Sequence, residues 1–258
     1  MKTSNLNIRK FISFDQYLCG ICLFALIICS CQKSGNRKCF KSLGKIKIET
    51  RDATRFDFIY LYDNINLILT QDTFHSIKIE APENLINFVK TDFSGKELTI
   101  KNENKCNFLR SYKYEINVYA SFVNLENIYF MGAGKISSTN TIKTSQLILN
   151  LWDASGSLDL SVETILSRCN MHTGPGDIKL KGLAATSFFY SNGNGFMHLE
   201  DFVCQYSNVQ NKGTGDFFVN VQKEMSVIIT STGSVFYTGN PIITNSETTG
   251  KGELLKIQ

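Results

Sequence analysis

Three histidines, His75, His172 and His198, are the side chains of this chain that titrate nearest neutral pH and could act as a general base. A serine hydrolase needs such a histidine together with a serine in a recognisable nucleophile motif. The three histidines are scattered along the chain, and none lies near a motif of that kind. The sequence therefore gives no support to Ser-His chemistry, and we predict no catalytic residue and no enzyme.

Four aspartates could in principle coordinate calcium or pair as the acid and base of a polysaccharide-cleaving enzyme. They are Asp153, Asp159, Asp177 and Asp216. Calcium-binding β-rolls repeat about every nine residues with an aspartate in each turn. The turns described below recur at about twice that interval, and most of them lack the aspartate. Acids on solvent-facing strands usually only add solubility, so we predict neither a metal nor a cofactor.

The eight cysteines divide into two groups. Four of them fall in the N-terminal signal or at its end, namely Cys19, Cys22, Cys29 and Cys31. The other four are Cys39, Cys106, Cys169 and Cys204, and none forms a C-x-x-C pair of the kind that binds zinc. Cys169 occupies a position equivalent to Leu149 and Phe188, which predicts a core residue. A disulfide between Cys39 and Cys106 stays open as an alternative in an oxidising compartment.

The elements that must position these side chains are organised by a recurring small-x-Gly turn in the second half of the chain. The turns end at Gly134, Gly156, Gly176, Gly195, Gly215, Gly233 and Gly252, with intervals of 22, 20, 19, 20, 18 and 19 residues. Self-similarity at such a period is typical of a solenoid. We attribute the glycines to sharp corners that need a positive φ.

Strands are predicted on both sides of each turn. The second residue after each glycine is apolar, and so is the fourth in the five central repeats, which is the alternation of a β-strand. A second strand with weaker alternation precedes each turn, at residues 146–151, 165–171, 186–190, 206–210 and 225–229. Glycine every twenty residues leaves no room for paired helices. The prediction is an all-β, parallel β-helix with coils of about 20 residues. That the helix is right-handed is implied by the family resemblance described below.

The first and third residues after each glycine should face solvent, and their character changes along the chain. They are polar in the early coils, as in Lys135, Asp159 and Lys179. In the later coils they become Phe196, His198, Phe218, Phe236 and Leu255. Stacked coils would align these into one exposed apolar strip, which usually marks an interaction surface. Cover by a chain terminus or by a second copy is the alternative.

The N-terminus has the pattern of a secretory signal, with a basic start and an apolar run at Tyr17–Ile28 that is too short to span a bilayer. The following Ile28-Cys29-Ser30-Cys31 resembles a bacterial lipobox with Cys31 as the lipidated residue. We expect a signal peptide at 1–30, a polar tether at 31–43 and a folded domain at 44–258. Removal of the signal leaves 24 basic and 22 acidic residues, so the chain lacks the excess of positive charge that is typical of nucleic-acid-binding proteins.

Residues 44–130 predict less regular strands, at 58–62, 65–70, 76–80, 97–101 and 114–119, with a short helical turn within Pro82–Phe88. Several segments carry a family resemblance in the same order. They are Asn64-Ile65-Asn66-Leu67, residues 76–85, Gly95-Lys96-Glu97-Leu98-Thr99-Ile100 and residues 125–128 running into Gly132-Ala133-Gly134. Over about residues 50–258 the chain resembles the head GIN domain family, the auto-transporter adhesins. The family is found mostly in secreted or lipid-anchored proteins of Bacteroidetes-type bacteria.

The resemblance implies a right-handed β-helix and an adhesin-like function, and it brings no catalytic residues. We therefore expect a non-enzymatic protein held in the outer membrane by a lipid anchor, which presents a flat sheet face to a protein or glycan partner. A binder of a small apolar ligand or glycan is the second expectation, and a carbohydrate-active enzyme is the third. Assembly from several copies of the chain is a further alternative.

Overall fold

A computed structural model describes residues 42–104 and 114–257, and Leu43–Asn104 with Tyr112–Gln258 form one compact unit. The strands are β1 (Ile46–Arg51), β2 (Phe58–Asp63), β3 (Asn66–Gln71), β4 (Ser76–Pro82), β5 (Val89–Ser94), β6 (Glu97–Asn102), β7 (Asn117–Phe122), β8 (Asn127–Gly132), β9 (Lys135–Ser138), β10 (Ile142–Leu151), β11 (Ser157–Met171), β12 (Asp177–Ser191), β13 (Met197–Asn211), β14 (Phe217–Ile229), β15 (Val235–Thr238), β16 (Ile242–Thr248) and β17 (Leu254–Lys256). A 3-10 helix covers Ile86–Phe88.

The predicted signal peptide, Cys31 and the Cys39–Cys106 pair lie outside the described residues, and so does most of the tether. No helix in the described part is long and apolar enough to cross a membrane.

Parallel pairing between coils follows the glycine spacing. The second residue after each glycine pairs with its counterpart in the next coil, in the order Ile136, Leu158, Ile178, Met197, Phe217, Val235 and Leu254. Parallel strands hydrogen-bond at a spacing of about 4.8 Å, so the repeat in sequence becomes a repeat in space. The predicted parallel β-helix with coils of about 20 residues is confirmed.

Each central coil contains one long strand where the sequence predicted two. In β11 the alternation of buried and exposed side chains shifts by one residue near the middle of the strand. The shift is seen at Thr164, which is buried, Ile165, which is 67% exposed, and Ser167, which is buried again. Pairing with β12 continues across this bend, from Thr164↔Ala184 to Leu166↔Thr186. The prediction of two separate strands in each coil was wrong. The interruption in the alternation of apolar residues marks a corner within one strand and not the end of a strand.

The core is a set of apolar columns inside the coils. Four central members of the fourth-position column, Leu160, Leu180, Leu199 and Val219, are at most 1% exposed. Full burial of such side chains stabilises the fold by about 1.5–3 kcal/mol each. The column fades at its ends as predicted, since Ser138 is partly exposed and Lys256 is exposed.

The turn glycines are required by the closeness of neighbouring coils more than by their φ angles. A Cβ on Gly215 would overlap the carbonyl oxygen of Gly195, and a Cβ on Gly195 would overlap that of Gly176. Among the turn glycines, Gly174 has a positive φ, of 93°. Our expectation of a positive φ at these corners was therefore wrong for most of them. Glycine is needed because one backbone lies directly on the next.

The N-terminal strands depart from the parallel pattern. β4 pairs antiparallel with both β1 and β7, and β5 pairs antiparallel with β6. Strands β1, β5 and β8 were not predicted, and β7 begins three residues later than predicted. The predicted helical turn at Pro82–Phe88 is found as the 3-10 helix.

Two charged groups hold this N-terminal region together. Arg51 donates to the carbonyl oxygens of Val89 at 2.6 Å and Ile86 at 3.1 Å, which ties β1 to the 3-10 helix and β5. Asp57 is buried, with Lys96 Nζ at 2.9 Å and Arg55 Nη2 at 3.1 Å from its carboxylate. Burial raises the pKa of Asp57, but the hydrogen bonds from Lys96 and Arg55 outweigh that effect and hold the pKa below its usual value.

Leu180→Asp should unfold the solenoid, whereas Lys179→Asp at the neighbouring outward position should change the free energy of unfolding by less than about 1 kcal/mol. Leu180 is fully buried, and a carboxylate there would have no partner, while Lys179 is exposed. Thermal melts of both variants check this. Equal losses of stability would contradict the inward and outward assignment.

Candidate functional site

The predicted apolar strip forms a ladder of stacked rings on the outer face. Strand pairing aligns His198, Phe218, Phe236 and Leu255 at the third position after successive turns. The ring centroids of His198 and Phe218 lie 5.4 Å apart with 4° between the planes, and those of Phe218 and Phe236 lie 5.0 Å apart with 10° between the planes. We call these four residues, together with Phe196, the ladder face.

Phe196 lies beside the ladder and not within it. It occupies the first position after its turn, 6.2 Å between ring centroids from His198. Phe196 is 40% exposed and Leu255 is 38% exposed, while Phe218 and Phe236 are half-buried because each covers part of the other. The structure thus places all five predicted residues on one outward surface.

The same surface is polar in the earlier coils. The ladder column continues through Lys179 to Asp159, and the carboxylate of Asp159 lies 3.3 Å from Lys135 Nζ in the coil before it. Surface ion pairs of this kind contribute little to stability. The face therefore divides into a polar half and an aromatic half.

The turn aspartates serve the backbone of the next coil. Asp177 Oδ1 accepts the N–H of Phe196 at 2.8 Å, and Asp216 Oδ1 accepts that of Ser234 at 2.7 Å. Asn66 does the same for Lys135 at 3.0 Å. These aspartates were considered for metal binding, acid chemistry or solubility, and their bonds to the backbone of the next coil were not predicted. The missed signal is that a short polar side chain repeatedly follows the turn glycine, where it can reach the coil above.

The described residues contain no group of three or more histidine, cysteine or acidic side chains that could hold a metal ion. Cys169 is fully buried as predicted, and Cys204 is buried too. Burial raises the pKa of each thiol to about 12, so neither is available as a nucleophile at neutral pH.

The histidines take three separate roles. His75 packs edge-on against Phe56, at 4.9 Å between centroids, and His198 belongs to the ladder face. His172 stacks face to face on Trp152, with 3.8 Å between ring centroids and 10° between the planes. The contact between Trp152 and His172 was not predicted, although the chain has a single tryptophan that could have drawn attention to it.

The fold defines the class of this protein as a parallel β-helix. The family model described as "Putative auto-transporter adhesin, head GIN domain" matches residues 55–241, and the chain belongs to this family. The resemblance inferred from the sequence is thereby confirmed. No curated protein matches the chain.

Solved structures with the same fold include three from Bacteroides and Parabacteroides. A "putative adhesin" from Bacteroides fragilis superposes with a TM-score of 0.76 at 21% identity, covering 83% of this chain and 97% of the other. A "putative adhesin" from Parabacteroides merdae gives 0.60 at 17% identity, with 84% and 98% covered. A "Putative lipid binding protein" from Parabacteroides distasonis gives 0.64 at 16% identity, with 83% and 98% covered. At these identities the likeness establishes the fold alone.

Protonation of His172 should destabilise the fold. Burial lowers the pKa of His172, so its contribution to stability is complete above the unfolded value of about 6.5 and is lost as the pH falls toward the lower folded value. Between pH 7.5 and 5.0, His172→Phe, which keeps a ring against Trp152 and cannot titrate, should lose less melting temperature than wild type. Equal losses in thermal melts would contradict this assignment.

Proposed function

We propose that the protein is a non-enzymatic, adhesin-like interaction module of the bacterial cell envelope that meets a protein partner through the ladder face. The observation that carries the proposal is the outward stack of His198, Phe218 and Phe236. The core does not need these rings, because the inward positions of the same coils are already filled by Met197, Phe217 and other buried residues.

The shape of the ladder face favours a macromolecule over a small ligand. Sites for small molecules are concave and enclose most of the ligand. The ladder lies open along the surface of a sheet, so it can offer area to a partner but little enclosure. Aromatic side chains are enriched at the centres of protein interfaces, where they contribute much of the binding energy.

A binder of a small apolar ligand is the second candidate, supported by the description of the Parabacteroides distasonis neighbour as a lipid binding protein. The half-buried, mutually stacked rings would suit an acyl chain laid along the ladder. A carbohydrate-active enzyme has less support, because Asp177 and Asp216 are bonded to backbone N–H groups.

Substitution of Phe196, Phe218 and Phe236 by serine should abolish partner binding and leave the melting temperature within a few degrees of wild type. Binding is measured on surfaces coated with fibronectin, laminin, collagen and mucin, and self-association by analytical ultracentrifugation. A triple variant of the polar half, Lys135→Ser, Asp159→Ser and Lys179→Ser, is the matched control and should bind as wild type does. Failure of the ladder variant to fold would show that the rings belong to the core and would contradict the proposal.

Anchoring in the outer membrane through Cys31 is the other part of the proposal. It is supported by the basic start, the apolar run and Ser30 directly before the cysteine. A fatty-acid probe fed to cells should label the wild-type protein, and Cys31→Ala should remain unlabelled and leave the membrane fraction. Equal labelling of the two proteins would refute lipidation at Cys31.

A further inference from the structure

A second outward surface lies on the other side of the glycine corner from the ladder face. Trp152 follows directly after β10 and is 44% exposed. Its ring lies on His172 of the next coil, and the ring centroid of His172 is 5.9 Å from that of Tyr190 in the coil beyond. The three rings thus cross three consecutive coils. We call Trp152, His172 and Tyr190 the tryptophan shelf.

Side-chain amides run beside the shelf on the same strands. Asn150 and Asn170 lie two residues before Trp152 and His172, near the ends of β10 and β11, and Asn150 is buried while Asn170 is half-buried. Asn170 donates to Asn150 Oδ1 at 3.0 Å, and Asn150 donates to Asn127 Oδ1 at 3.0 Å. An asparagine amide has two donor hydrogens and an acceptor oxygen, so Asn170 keeps one hydrogen and its oxygen for a ligand.

The three rings of the shelf differ in whether a positively charged side chain lies over the ring. Lys212 Nζ lies 5.8 Å from the centre of the Tyr190 ring, and on the same sheet the guanidinium of Arg168 lies 4.2 Å from that of Phe188. Trp152 instead rests on His172, and burial lowers the pKa of His172, which disfavours its charged form. Stacking at 3.8 Å between ring centroids restrains the indole, which makes it a preorganised apolar platform.

We propose that the tryptophan shelf binds a pyranose ring of a glycan. One side of a pyranose presents C–H groups that stack on an indole, and its edges present hydroxyl groups that need amide donors and acceptors. The shelf offers Trp152 for the apolar side and the amide of half-buried Asn170 for an edge, while buried Asn150 holds Asn170 in place through its hydrogen bond. A protein partner would not require an amide beside the rings, and an acyl chain would leave it unpaired at a cost.

Further along the same sheet, a shallow depression of about 160 Å³ is lined by Phe188, Tyr206 and Asn208 among others. Phe188 precedes Tyr190 by two residues on β12, so this depression adjoins the shelf. A chain of several sugars that begins on Trp152 would cross Tyr190 and reach the depression. The site is therefore suited to an oligosaccharide segment.

The test uses the purified full-length protein on an array of defined oligosaccharides built from glucose, mannose, galactose, N-acetylglucosamine and fucose. The best-bound oligosaccharide is then titrated while tryptophan fluorescence is recorded, since Trp152 is the only tryptophan and reports directly from the shelf. We expect a saturable change in emission. Calorimetric titration should show affinity at least about tenfold weaker for Trp152→Ala, equivalent to about 1.4 kcal/mol.

Two variants complete the design. Asn170→Ala removes an amide without touching the rings and should also weaken binding, which keeps the test valid if Trp152→Ala fails to fold. Phe218→Ser alters the ladder face and should bind the oligosaccharide as wild type does, so the outcome is independent of the proposed ladder function.

Three results would overturn the proposal. The first is absence of binding to every oligosaccharide on the array. The second is unchanged affinity in folded Trp152→Ala or in Asn170→Ala. The third is a change in tryptophan emission with protein concentration alone, accompanied by a dimer in sedimentation, which would assign the shelf to contact with a second copy.

Discussion

Direct stacking of one backbone coil on the next is the constraint on which the rest of this structure depends. The coils approach so closely at the corners that a Cβ on Gly215 or Gly195 would overlap the carbonyl oxygen of the coil beneath. Because parallel hydrogen bonding fixes the spacing at about 4.8 Å, a residue at a given position in one coil must lie on its counterpart in the next. Every column, buried or exposed, follows from that alignment.

The alignment gives like side chains the opportunity to stack. Inside, it places Leu160, Leu180 and Leu199 in one column and buries them fully. Outside, it places His198 on Phe218 and Phe218 on Phe236 at ring distances near those preferred by aromatic pairs, about 4.5–7 Å. The turn aspartates use the same geometry when they accept an N–H from the coil above. A single constraint thus accounts for the core, the ladder face and the corner hydrogen bonds.

This also explains which features could be predicted from the sequence. The inward columns and the ladder face were predictable because each residue type recurs at a fixed offset from a glycine. The bend at Thr164 was not, since a shift of alternation by one residue looks the same in sequence as the end of a strand. Strands β1 and β5 carry almost no buried side chains, so no apolar alternation marks them. The contact between Trp152 and His172 joins unlike residues at equivalent positions, which a search for recurring residue types passes over.

Side chains alternate between the inside and the outside along each strand, so the residues that stabilise the fold are distinct from those available for binding. Leu180 and Lys179 are neighbours in sequence, yet one is fully buried and the other is exposed. A substitution at an outward position removes a stack, an ion pair or a hydrogen bond to the next coil, whereas an inward one disturbs a column that neighbouring coils share. Outward positions are therefore free to change from coil to coil, as they do between the polar early coils and the ladder face. Because each strand carries outward positions on both sides of a corner, one solenoid can hold the ladder face and the tryptophan shelf as surfaces of different chemistry without altering its core.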